Sequence, residues 1–177
     1  MPNDKSSQDA LYKEATTAYG GALDRLARSY EADSEKRRDL LQEIHLALWR
    51  SFVGFDSRCS LRTWVYRVAH NVAASYVIRH RRMNSPILLS LDELNNIPDL
   101  NDAEAAADRH KAMQRLLALI QRLRPTDRQI ILLYLEGMDA ASVGEIMGIS
   151  PGNVATKIHR IKSVIADRFW KGGRHDN

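Results

Sequence analysis

The sequence predicts an all-α protein built of two helical blocks with an acidic segment between them. Apolar residues recur at helical spacing through both blocks, and no stretch carries a β-hairpin signal. Charge is also partitioned along the chain. Residues 1–85 hold 14 Lys and Arg against 10 Asp and Glu, residues 86–112 hold 2 against 6, and the remainder holds 10 against 6.

In the first block, Leu11, Ala15, Ala18, Tyr19, Ala22, Leu23, Leu26, Ala27 and Tyr30 recur at helical intervals, with Gly20 and Gly21 as weak points for an unbroken helix. A second helix is expected from an N-cap at Ser34. It carries Leu40, Leu41, Ile44, Leu48, Trp49 and Phe52 on one side, Asp39, Gln42, Glu43 and Arg50 on the other, and is closed by Gly54. Residues 60–83 then read SLRTWVYRVAHNVAASYVIRHRRM. At ~100° per residue, Leu61, Trp64, Val65, Val68, Val72 and Tyr76 share one side, and Arg62, Arg67, His70, Asn71, His80 and Arg81 the other. Ser60 is the expected N-cap, and Arg79, His80, Arg81 and Arg82 suit the negative end of the helix dipole. Three helices with short connections make an antiparallel bundle.

Residues 85–100, SPILLSLDELNNIPDL, interrupt this pattern with two prolines and turn-favouring Asn and Ser, and residues 86–102 read as an acidic linker. Ile87, Leu88, Leu89, Leu91, Leu94 and Ile97 make it too apolar for a free coil, so it is expected to dock. The second helical block starts near Asp102, with a stripe of Met113, Leu116, Leu117, Ile120 and Leu123. Pro125 opens the next helix and Gly137 ends it. A short helix follows from about Ala140 to Met147, then a turn at Gly148 to Ser150. A long helix from Pro151 to about Trp170 buries Val154, Ile158, Ile161, Ile165 and Phe169. The final GGRHDN reads as a disordered tail.

At 177 residues, 44% apolar and 27% charged, the chain is long enough to bury a core, and its net charge of +4 permits a polyanionic partner. The single Cys59 rules out an internal disulfide and fits a reducing compartment. No apolar run approaches the ~18 residues of a membrane span, and MPNDKSSQDALYKE lacks the apolar segment of a signal peptide, so a cytoplasmic protein without a membrane span is expected. The histidines, His45, His70, His80, His110, His159 and His175, form no H-x-x-x-H pair, and there is no Gly-rich phosphate loop. Neither metal nor cofactor is expected, and no nucleophile, base and orienter set points to an enzyme.

Two features point to nucleic acid instead. No Asp or Glu occurs between Asp56 and Asp92, so the polar face of the Ser60 helix suits a polyanion better than water. Residues 142–162, SVGEIMGISPGNVATKIHRIK, set a short helix, a glycine turn and a helix opened by Ser150 and Pro151 in sequence, the pattern of a helix-turn-helix. The second helix offers Asn153, Thr156, Lys157, His159, Arg160 and Ser163, short polar and cationic groups able to reach base edges and phosphates in a major groove.

Three stretches resemble the extracytoplasmic-function (ECF) group of bacterial sigma factors: DLLQEIHLALW from Asp39, FDSRCSLRTWVYRVAHNVAASYVIRHRR from Phe55, and LRPTDRQIILLYLEGMDAASVGEIMGISPGNVATKIHRIK from Leu123. The resemblance implies two small helical domains, sigma region two at 1–85 and region four at 103–177, joined by a flexible linker at 86–102. It implies a partner surface for core RNA polymerase at Asp39, Leu40, Gln42, Glu43 and Trp49. It further implies minus-ten contacts at Asp56, Ser57, Arg58, Ser60, Arg62, Arg67, His70, Asn71 and Arg81. Minus-thirty-five contacts are implied at Ser150, Pro151, Asn153, Thr156, Lys157, His159, Arg160 and Ser163. The function implied is promoter-specific transcription initiation, with an anti-sigma factor holding the free protein inactive. The chain departs from the family at Ser142, where Glu is usual, at Gly144, where Ala is usual, and at Ala155, which replaces a frequent basic residue, so weaker phosphate anchoring is expected. The alternative is a helix-turn-helix regulator that never binds polymerase. That reading leaves the Asp39 helix and the acidic linker unexplained.

Overall fold

The computed structural model describes residues 5–84 and 109–171, and every regular element in them is a helix. The linker at 86–102, the expected start of the second block near Asp102 and the GGRHDN tail lie outside the described residues.

Helix α1, Lys5–Tyr30, runs unbroken through Gly20 and Gly21. Each glycine costs a helix about 1 kcal/mol relative to Ala, less than the apolar burial on either side of the pair returns: Ala15, Ala22, Leu23, Leu26, Ala27 and Tyr30 are all buried. Ala18, expected on that face, is exposed. Helix α2, Ser34–Ser51, is capped by Asp33 rather than Ser34, for the Asp33 Oδ1 accepts from the amides of Glu35 and Lys36, both at 3.0 Å. An Asp cap contributes about 1 kcal/mol, and one residue of register decides which side chain supplies it. A 3₁₀ turn, Phe52–Gly54, buries Phe52 completely and leads to α3, Leu61–Asn84. Ser60 caps α3 as expected, its Oγ accepting from the Thr63 amide at 3.0 Å.

Helix α4, Arg109–Arg122, and helix α5, Pro125–Leu135, are joined by a tight corner that places Pro125 in the first turn, where its missing N–H is not needed. Helices α6, Ala140–Met147, and α7, Pro151–Lys171, complete the second block.

One apolar cluster runs through both blocks. Leu40, Ile44, Leu48, Val65, Ala69 and Ala73 fill it between α2 and α3, and Leu123, Leu133, Val143, Val154 and Ile161 continue it among α4 to α7. The blocks meet directly: α3 packs on α5 and α6, and α1 packs on α4. Arg128 of α5 sits at this junction, 1% exposed. Its guanidinium donates to the carbonyls of Ile120 at 3.1 Å, Leu123 at 3.2 Å and Gln121, the last acceptors of the α4 corner, and lies 5.1 Å from the centroid of the Tyr30 ring. Burial pulls its pKa down to about 10.

Because both neighbours cover α3, it is buried over more of its circumference than one amphipathic stripe. Thr63, Tyr66, Ala69, Ala73 and Val77 are inside, and so is His70, 1% exposed. His70 was expected on the DNA-facing side; instead its Nδ1 shares a 3.2 Å hydrogen bond with the Tyr30 hydroxyl and its ring stacks on Tyr66. It cannot touch DNA from there.

Burial alone lowers the His70 pKa from 6.5 to about 3, so the folded chain keeps this imidazole neutral where the unfolded chain protonates it. Its contribution to stability is therefore complete above pH 6.5 and is lost as pH falls from there towards 3. Loss proceeds at up to about 1.4 kcal/mol per pH unit. Urea unfolding of His70→Gln between pH 4 and 6.5 should show a pH slope shallower by that amount than the parent. An equal slope in both proteins would mean His70 is already charged in the folded state.

Candidate nucleic-acid interface

The helix-turn-helix is fixed by four local devices. Asp139 caps α6, its Oδ1 accepting from the Ser142 amide at 2.8 Å. Gly148 takes the left-handed conformation, φ +69°, that ends α6. Gly144 lets the turn pass close behind the helix, since a Cβ there would stand 2.6 Å from the Ile149 carbonyl oxygen. The family departure at Gly144 thus has a structural reason: this turn runs closer to α6 than an alanine permits. Ser150 then caps α7, its Oγ accepting from the Asn153 amide at 3.3 Å, with Pro151 in the first helical position.

This geometry turns Pro151, Asn153, Thr156, His159, Arg160 and Ser163 outward, all exposed, over a run with no carboxylate from Asn153 to Ile165. Thr156 ties its hydroxyl back to the Gly152 carbonyl at 3.0 Å. Lys157 is half-buried and held by Asp127 at 3.4 Å, so it reaches a phosphate only by giving up that partner. Ser150 contributes as a cap.

The minus-ten candidates divide differently. In the loop, Ser57 has φ +61°, and Asp56 accepts from the Arg58 amide at 3.2 Å while pairing with the Arg58 guanidinium at 2.9 Å. A left-handed non-glycine residue costs about 1–2 kcal/mol and is retained only where its surroundings define it. The loop is therefore shaped before any partner arrives. Asn71 is exposed, and the Arg81 side chain lies outside the described residues.

Arg62 and Arg67 reach into the second block. Arg62 donates to the Glu136 carbonyl at 2.6 Å, and Arg67 donates to the Glu145 carbonyl at 3.0 Å. The sequence places both on a polar face without saying that another part of the chain lies against it.

On α2, Asp39 and Gln42 are exposed. Glu43 is half-buried and pairs with Arg79 at 2.5 Å. Leu40, grouped with them as a polymerase contact, has no exposure, because it is one helical step off that face and fills the core. Trp49 is held by α1, its indole N–H donating to Asp9 at 2.8 Å. Leu46 was missed. It is 48% exposed and lies four residues after Gln42, so it shares the face of Asp39 and Gln42. An apolar residue in that polar row was the available signal.

Glu136, in the cap after α5, gathers the closest contacts between the blocks. Its carboxylate accepts from Arg25 in a bidentate pair at 2.7 and 2.8 Å and from the Tyr66 hydroxyl at 3.2 Å. The Arg25 hydrogen bonds hold the Glu136 carboxyl below its usual range, and burial beside this carboxylate pushes the Tyr66 pKa up to about 12. Among the described residues no cluster of His, Cys, Asp and Glu is placed to hold a metal, and no helix is long and apolar enough to cross a membrane.

A shaped loop and helix in one block and an outward-facing helix-turn-helix in the other define a two-block helical protein with a helix-turn-helix. Two family models match in the order this architecture requires: "Sigma-70 region 2" over residues 16–83 and "Sigma-70, region 4" over 113–164. The ECF sigma factor SigG of Mycobacterium tuberculosis is 27% identical over 146 residues, covering 71% of this chain and 40% of that protein, so the chain matches less than half of SigG's length. CarQ, an RNA polymerase sigma factor of Myxococcus xanthus, is 29% identical over 161 residues, covering 87% of this chain and 86% of CarQ. The fold is similar to that of the sigma factor RpoE of Bartonella quintana in complex with the anti-sigma factor NepR, with a TM-score of 0.63 at 17% identity, covering 90% of this chain and 96% of that one. The chain belongs to the sigma-70 family, as one of its ECF members.

Arg25 is 63% exposed, so its pair with Glu136 is screened and contributes on the order of 1 kcal/mol. Glu136→Ala should therefore raise the fraction of molecules with the two blocks apart about fivefold, read as single-molecule energy transfer between dyes at Ser34 and Ser163. High salt should act in the same direction on the parent. An unchanged distance distribution would show that apolar packing alone holds the blocks together.

Proposed function

We propose that the protein is a promoter-specificity subunit of RNA polymerase, and the observation that carries this is the capped α7 helix with its carboxylate-free, outward-facing row in a chain of the ECF sigma family. In this reading residues 1–85 form region two, 86–102 the linker and 103–177 region four. The α2 face of Asp39, Gln42, Glu43 and Leu46 docks on core polymerase. The Asp56 to Ser60 loop and the exposed side of α3 around Asn71 meet the minus-ten element. The row from Asn153 to Ser163 enters the major groove of the minus-thirty-five duplex, where Arg160 and His159 offer donors to phosphates and base edges. The protein performs no chemistry of its own and works in the cytoplasm, where polymerase and promoter are.

Arg62 and Arg67 serve the minus-ten element only after leaving Glu136 and Glu145, so the contacts between the blocks must open on assembly. A partner that holds the closed arrangement would keep the protein inactive, the role proposed for an anti-sigma factor. The complex of RpoE with NepR supports such a partner for this fold.

Run-off transcription with core polymerase and a genomic promoter library tests the reading. The protein should produce new transcripts whose start sites share two upstream motifs. Duplex binding without new transcripts would favour a helix-turn-helix regulator instead. Arg160→Ala should weaken binding to a minus-thirty-five duplex and lower the slope of log affinity against log salt by about one, the signature of one lost phosphate contact. On the polymerase face, Leu46→Ala should weaken core binding about tenfold while leaving thermal stability unchanged, as expected for one interface anchor. Equal core affinity would remove α2 from that interface.

A further inference from the structure

A second surface lies away from the α7 DNA row. Leu116 and Ile120 of α4, Tyr134 and Leu135 of α5, and Ile165 and Phe169 of α7 line an open groove of about 300 Å³, and none of the residues lining it is acidic. Its mouth is apolar and solvent-facing: Tyr134 is 38% exposed and Leu135 55%. Met113, one turn before Leu116 on α4, is 55% exposed, so the apolar track continues from the groove towards Arg109, where the chain enters this block. Two aromatic walls each carry a cation. The Lys162 ammonium lies 5.1 Å from the Tyr134 ring centroid, and the Arg115 guanidinium lies 5.6 Å from that of Phe169.

The chain itself carries a segment of matching chemistry. Between Asn84 and Arg109 stand 24 residues, and positions 87–97 hold six large aliphatics with Asp92 and Glu93 among them. Ile97 lies twelve positions before Arg109, a reach of up to ~40 Å, whereas Leu116 lies only about 10 Å along α4 from Arg109. A tether this short gives an effective concentration on the order of millimolar, so a weak intrinsic affinity suffices for occupancy.

We propose that residues 87–97 of the linker dock in the α4–α5–α7 groove, their leucines filling it and Asp92 and Glu93 meeting Lys162 and Arg115 at its rim. The linker then acts as an intramolecular plug. Any partner helix that uses this groove must displace it, and the linker is paid out to span a wider separation of the blocks only when such a partner binds. This inference does not depend on the promoter reading and needs neither polymerase nor DNA to test.

The test is disulfide trapping in the full chain with Cys59→Ser, which removes the only native thiol. Ala166, exposed on the groove wall, is changed to Cys. It is paired in turn with Leu88→Cys, Leu91→Cys or Leu94→Cys, and the pairs are oxidised with glutathione disulfide at micromolar protein. At least one pair should close within a single chain. Its rate should fall at least tenfold when the other two leucines become Asn, because random collision of a tethered segment does not require apolar side chains and docking does. An unchanged rate would reduce the effect to tethering and overturn the proposal, as would failure of all three pairs. Disulfides only between chains, increasing with concentration, would assign the groove to a second copy of the protein.

Discussion

A cation with almost no access to water sets the geometry of the whole molecule. The Arg128 guanidinium needs acceptors, and the end of α4 offers the Gln121 and Leu123 carbonyls; each need meets the other at the α4–α5 corner. The face of Tyr30 closes the remaining side. Tyr30 bonds to His70, His70 stacks on Tyr66, and Tyr66 donates to Glu136. This path of buried aromatic and charged groups crosses from the second block into the first and back again. Removing the Tyr30 hydroxyl leaves the buried His70 ring nitrogen without its hydrogen bond, a loss of about 1–3 kcal/mol.

The helices themselves were legible because their signals are local. Ser60 as a cap, Pro125 and Pro151 in first turns, and the glycine in the turn after α6 act within a few residues, and the structure keeps each of them. The outward row on α7 was legible for the same reason: among the described residues nothing covers Asn153, Thr156, His159 or Ser163. For His70, Arg62 and Arg67, what failed depended on contacts distant in sequence. His70 reads as a polar residue on a polar face, and only the arrival of Tyr30 and the second block buries it. Arg62 and Arg67 read as free cations, and their carbonyl acceptors lie more than seventy residues away. Leu40 was placed with its polar neighbours although its own helical phase puts it inside. Leu46 was overlooked because a single aliphatic among charges is ordinary on a helix surface.

The two regions proposed to meet DNA therefore differ in readiness. The α7 row is exposed among the described residues, its helix positioned by the Ser150 cap and the tight passage at Gly144. The α3 side combines a shaped loop at Ser57 with two arginines occupied by the second block. Under the proposed function one element is prepared for duplex contact before assembly, and the other becomes available during it.

The occupied arginines also bear on how the free protein moves through a cell. Non-specific affinity for DNA rises steeply with the number of phosphates a protein can neutralise, and a genome offers on the order of a million or more competing sites. A chain that commits Arg25, Arg62 and Arg67 to its own acceptors presents fewer cations to that background. Under the proposed function this lowers its adsorption to non-target DNA, and the cations it withholds become usable where a partner compensates opening. In that reading, folding the blocks together lowers idle adsorption as well as occupying Arg62 and Arg67.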